Sequence, residues 1–130
     1  MSRKKARIKL FELVFELCFS NFSVSYDEFL KNNEFDEINL NFIKDIYVGI
    51  VNEFEDINTV IKNNLVNYTY DRIFKVDLAI LLIATYEIIH DITPISVIAN
   101  EAVDLAKKYS TEKSYSFING VISNINKTKK

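Results

Sequence analysis

Turn-forming residues are nearly missing from this chain of 130 residues, which has two glycines and one proline. A meander of short strands needs such residues at every reversal, so their scarcity excludes one. A single cysteine, Cys18, rules out an intramolecular disulfide and a thiolate metal cluster. With one histidine, His90, a zinc site or a Ser-His-Asp triad would depend on that residue alone. No glycine-rich phosphate loop is present. The basic N-terminus is not followed by an apolar stretch with a small-residue cleavage site, so a reducing, cytoplasmic location is expected. No apolar run approaches the roughly 20 residues that span a bilayer, and no membrane role is expected.

What is present is apolar. Hydrophobic residues make up 48% of the chain, too many for intrinsic disorder. The length suits one domain with one sizeable core. Residues 76–89 (VDLAILLIATYEII) hold seven consecutive apolar residues at 78–84. Its apolar positions lie almost all round a helical wheel, which predicts a helix buried on several sides. The other segments are expected to wrap around it.

The net charge of −2 hides an asymmetry. Residues 1–9 carry Arg3, Lys4, Lys5, Arg7 and Lys9 without an acid, and residues 127–130 carry three lysines. Residues 10–126 then hold eight basic residues against all 18 acids, a net charge near −10. An acidic body repels polyanions, but a basic end can bind them locally.

Periodicity predicts about seven helices. The first covers 3–19, with Ser2 as N-cap, and looks too apolar for one core-facing side. Either a neighbouring helix covers the excess or another protein does. Residues 20–23 read as a loop. Residues 25–31 read as a short helix, with Ser25 as N-cap and Glu28 closing a capping box. An amphipathic helix follows at roughly 38–55. Gly49 inside it costs about 1 kcal/mol of propensity, which close helix packing would explain. Asp56 or Asn58 opens the next helix. The central helix ends at His90-Asp91, where a histidine suits the dipole. Helices at 95–109 and from about 112 to 126 complete the chain. There is no internal repeat or domain linker.

Three blocks in the C-terminal half are specific: residues 76–87 (VDLAILLIATYE), 99–109 (ANEAVDLAKKY) and 117–121 (FINGV). In order and spacing they resemble the NusB family of bacterial transcription antitermination factors. Residues 68–72 (YTYDR) are similar to the family's aromatic-x-x-Asp-Arg element, with Tyr68 where Trp is usual. Residues 2–7 (SRKKAR) are similar to its arginine-rich N-terminal motif. Residues 20–65 match in helix pattern only. The resemblance implies an all-α, single compact domain over residues 1–130, with two small helical bundles sharing one core and a basic arm at 1–9. It implies a non-enzymatic protein without cofactor or metal. It also implies a pairing with NusE, a small-subunit ribosomal protein. Together the pair would bind boxA RNA of nascent ribosomal transcripts and support the transcription elongation complex.

Site residues carry over by position. Arg3, Lys4, Lys5 and Arg7 match the arginine-rich motif and can neutralise phosphates without reading sequence. Two lysines stand where Arg is usual, which loses planar stacking and bidentate geometry. Phe117 and Asn119 match the last block. Phe117 is either a base-stacking ring or core at helical spacing, and Asn119-Gly120 is either a base contact or close packing. Lys113 stands where the family usually has an acid, so it is expected to attract phosphate. Tyr115 and Ser116 replace the usual His and Lys. Ser110 stands where Gly is common and would be strained if that helix ended left-handed. For NusE the matching positions are Phe15, Tyr86 and Glu87. Glu87 is a lone acid among apolar residues, implying an exposed edge or a paired charge. Cys18 is expected to be a buried small hydrophobe.

Three functions compete. The first is an RNA-binding adaptor with a ribosomal-protein partner. The second is a helical scaffold, monomeric or homodimeric, with weak or no RNA binding. The third is an enzyme, for which no constellation exists. Pairs such as Glu12 and Glu16 fit a solvated face better than acid–base machinery.

Overall fold

A computed structural model describes residues 3–19, 24–32 and 34–129. Among them are seven α-helices: α1 (Arg3–Leu17), α2 (Val24–Lys31), α3 (Glu37–Asn52), α4 (Phe54–Asn63), α5 (Lys75–Ile89), α6 (Ile95–Tyr109) and α7 (Glu112–Thr128). A 3₁₀ turn, Tyr70–Arg72, precedes α5. The expected all-α architecture is present, and α5 is its axis. Residues 78–84 are each at most 4% exposed. α1 and α3 pack on each other and on α5, and so do α6 and α7. α4 touches α3, α5 and α7, tying the two bundles together. No helix among the described residues is long and apolar enough to cross a membrane.

The boundaries follow local chemistry. Asp36, not foreseen as a cap, opens α3: its carboxylate accepts the Asn39 amide at 2.8 Å. Ser25 proves not to be a cap. It lies inside α2, and its hydroxyl donates to the Glu16 carboxylate at 2.6 Å. Ser2 and residues 20–23 lie outside the described residues. α3 and α4 meet at Glu53 alone, three residues earlier than Asp56. The Glu53 amide donates to Gly49 and its carbonyl accepts from Ile57, both at 2.9 Å, so the chain bends without a loop.

Gly49 does serve close packing: a Cβ there would overlap the ring and hydroxyl of Tyr86 on α5. Gly120 does not, because a Cβ there would meet open space. α5 ends in a Schellman turn, with Asp91 left-handed at φ 53°. The Ile92 amide reaches the Glu87 carbonyl and the Asp91 amide that of Ile88. Cys18 is half-buried against the core, and burial pushes its thiol pKa up to about 11, with Lys75 pulling slightly the other way. Such a thiol is unreactive near neutral pH.

Candidate nucleic-acid interface

Where α5 and α7 begin, an apolar groove of about 610 Å³ opens. Tyr68, Phe74 and Phe117 line it, with Lys113, the acids Asp77 and Glu112, and Thr111 and Ser114. The Tyr68 and Phe117 rings lie 4.5 Å apart between centroids. Tyr68 is fixed by its hydroxyl, which donates to the Arg72 carbonyl at 3.1 Å. Phe74 occupies the N-cap position of α5 in extended backbone and is 58% exposed. With the two other rings it forms an exposed apolar patch beside a lysine. Lys113 is exposed in the first turn of α7.

Asp77 forms one wall and is only 3% exposed. The Ser110 hydroxyl donates to its Oδ1 at 2.7 Å, and the Ser114 hydroxyl to its Oδ2 at 2.8 Å. These bonds tie the starts of α5 and α7 together. Ser110 is not left-handed: its backbone is extended at φ −125° and ψ −156°. The anticipated strain is therefore missing, and the hydroxyl supplies a bond that glycine lacks.

The basic residues of α1 divide. Arg3, Lys4 and Lys5 are exposed, and the Arg3 guanidinium lies 3.9 Å from the Phe42 ring centroid. Arg7, expected with them as a phosphate contact, is only 6% exposed. Its two terminal nitrogens donate to the two oxygens of Glu87, at 2.9 and 2.7 Å. Thr93 adds a hydroxyl bond to Glu87 at 2.6 Å. Glu87 is 1% exposed. Arg7 and Glu87, assigned from sequence to two different partners, thus face each other inside the protein. Of the two options open for Glu87, the paired charge is the one observed.

The remaining RNA candidates fall into two groups. The Arg7–Glu87 pair and Asp77 are ten positions apart on α5, a separation of about 15 Å along the helix. Arg3, Lys4 and Lys5 sit near the first end, and Lys113 and Phe117 near the second. Asn119 is exposed on α7 but does not line the groove.

The partner candidates also separate. Phe15 stands in a row of rings: Tyr109 to Phe11 at 4.9 Å, Phe11 to Phe15 at 6.0 Å and Phe15 to Phe19 at 5.1 Å. Phe11 is buried at 4% exposure beneath Tyr109 of α6, Phe15 is half-buried and Phe19 is 64% exposed, so a neighbouring helix covers one end of the row and the other end is open. Tyr86 instead packs on Gly49 and on the His90 ring, 4.3 Å away. Burial raises the Tyr86 pKa above the usual phenol value, and the charges of Glu53 and Asp45 add to this. His90 also meets the Glu53 carboxylate at 2.9 Å.

The groove residues Tyr68 and Phe74 were not assigned by sequence reasoning. Their signal was an aromatic-rich segment, 68–74, next to the start of the most buried helix. Periodicity cannot rank exposed rings in a segment with no regular face.

A NusB family profile matches residues 4–127. A transcription antitermination protein NusB from Clostridium botulinum is 44% identical over 130 residues, covering 96% of this chain and 98% of that protein. One from Fusobacterium nucleatum is 42% identical over 135 residues, covering 96% and 88%. Among solved structures, T. maritima NusB superposes with a TM-score of 0.85 at 27% identity, covering 99% of this chain and 93% of the other. The profile spans both halves of the fold, from the basic turn of α1 to the last turn of α7, and the chain belongs to the NusB family.

Proposed function

We propose that this chain is a transcription antitermination factor acting in the cytoplasm, an adaptor rather than an enzyme. With NusE it binds boxA-type single-stranded RNA on nascent ribosomal transcripts and keeps the elongation complex processive. The observation that carries this reading is the meeting of Lys113 and Phe117 with Tyr68 and Phe74 in one groove. Single-stranded RNA is held by stacking unpaired bases on aromatic rings and neutralising the adjacent phosphates. Three rings and one lysine supply both. Arg3, Lys4 and Lys5 supply phosphate contacts without sequence reading, and exposed Asn119 offers an amide to a base edge. Arg7 contributes from within, by fixing α1 against α5 through Glu87. The apolar row ending in Phe15 and Phe19 suits a protein partner, and NusE is the partner assigned to it. Half-buried Tyr86 joins Phe15 as a contact for that partner, whereas Glu87, 1% exposed, acts from within by holding Arg7.

A titration of boxA RNA with and without NusE, across salt concentration, tests the proposal. The expected result is tighter binding with NusE and affinity that falls as salt rises. Lys113→Asp should weaken binding and flatten the salt dependence, since each phosphate contact on a single strand adds about 0.7 to the slope. No gain from NusE, and no loss in Lys113→Asp, would favour the scaffold, whose specific support is the open end of the same aromatic row at Phe19.

A further inference from the structure

A second groove, of about 340 Å³, separates α1 from α6. Both helices pack on α5, but between them they leave Ile8 and Leu105 as a partly open floor. Lys4 stands on the α1 side, and Glu101, Asp104, Lys107 and Lys108 stand on the α6 side. The stacked pair Phe11 and Tyr109 bridges the two helices where α6 ends. Lys108 lies over the Tyr109 ring at 5.4 Å, and Lys107 over the Tyr115 ring of α7 at 5.5 Å. These contacts carry the two lysines from the groove toward the start of α7.

The aromatic groove begins next door. Thr111 lines it, three residues after Lys108. Three residues span at most about 11 Å even when fully extended. Lys108 and the rim of the aromatic groove are therefore within reach of a few nucleotides of one strand. The basic end of α1 and the aromatic groove, which α5 separates, are joined on the surface by the C-terminal end of α6.

We propose that Lys107 and Lys108 form the middle of one phosphate track. It runs from Lys4 along the α1/α6 groove, past Tyr109, and into the aromatic groove at Lys113. The ligand is a single-stranded RNA longer than the aromatic groove alone can hold. Glu101 and Asp104 face the same groove and repel phosphate, which keeps binding weak for strands that lack a base in the aromatic groove. The inference rests on the RNA-binding reading above. It adds two binding residues and a minimum length of strand.

The test uses the full chain with Lys107→Gln and Lys108→Gln combined, two RNAs and a salt series. Glutamine keeps most of each side chain's stem, and both positions are exposed, so an unchanged melting temperature is expected. A strand of about 12 nucleotides, within the site sizes of single-strand binders, should bind roughly tenfold more weakly. Its salt slope should fall by about 1.4, two contacts at about 0.7 each. A strand of about four nucleotides fills only the aromatic groove and should bind the variant as well as the wild type. In a second arm, Glu101→Gln should tighten the long strand and leave the short one unchanged. If the wild type binds the long strand and the double variant matches it in affinity and slope, the track is overturned while the RNA reading stands. If the wild type binds neither strand, with or without NusE, both fall.

Discussion

The two ends of α5 hold a buried carboxylate in opposite ways. At the N-terminal end Asp77 is satisfied by two serine hydroxyls, with no cation bonded to it among the described residues. At the C-terminal end Glu87 takes a bidentate arginine and a threonine hydroxyl. The helix dipole accounts for the difference. Asp77 lies in the first turn, where the partial positive charge stabilises an anion. Glu87 lies in the last turn, where the partial negative charge opposes one, and only a buried cation can offset that and the desolvation. The functional consequence follows the chemistry. The end that manages with neutral hydroxyls can open into a groove, whereas the end that needs Arg7 recruits a basic residue of α1 into the core.

Arg7→Ala should break this comparison hardest. It strands Glu87 as an uncompensated charge at 1% exposure, which costs about 3–5 kcal/mol in comparable buried pairs. Urea denaturation should show the loss. Arg7→Met with Glu87→Leu, which removes both charges and keeps the volume, should recover much of it. If Arg7 were instead a surface phosphate ligand, Arg7→Ala would leave stability unchanged and lower the salt slope of RNA binding.

How much of this the sequence disclosed depends on how local each cause is. α6 was legible to the residue at both ends, because Pro94 and Ser110 bracket a clean amphipathic pattern. The all-round burial of α5 was legible from seven apolar residues in a row. The Glu53 junction was not, since apolar periodicity continues across it and no glycine or proline marks it. Arg7 was misplaced because its partner lies 80 positions away. Two signals did point to it. Glu87 is an acid in an apolar run, and Arg7 lies one helical turn before Leu10 and Phe11, on a face that is buried. Lys113 and Phe117, by contrast, are one turn apart on α7, so their shared groove was half legible. Its other half, Tyr68 and Phe74, comes from a segment with no period to read.

Phe74→Ser should have the next largest effect, on binding alone. The ring is 58% exposed, so folding loses little when it goes. Stacking on an aromatic is worth about 1–3 kcal/mol per base, a loss of roughly 5- to 150-fold in affinity for boxA RNA. Fluorescence anisotropy would measure it. An unchanged affinity, with a fall in NusE binding instead, would assign the ring to the protein partner.

Asp77→Asn should have the smallest effect and sharpen the contrast most. Asparagine keeps the shape but offers one acceptor oxygen instead of two, so one serine must rotate its hydroxyl to accept from the new amide. The anion's favourable interaction with the helix N-terminus is also lost, worth about 0.3–1 kcal/mol. The net destabilisation should be about 1 kcal/mol, a shift of a few degrees in melting temperature for a chain of this size. RNA affinity should rise, because a negative wall of the groove becomes neutral. The matching change at the other end, Glu87→Gln, should do the reverse. It leaves Arg7 buried without a counter-charge, lowers stability by more, and gives the RNA no advantage. Equal destabilisation by the two substitutions would mean that the dipole does not distinguish the ends. The hydroxyls around Asp77 would then be holding a charge as costly as the one Arg7 holds.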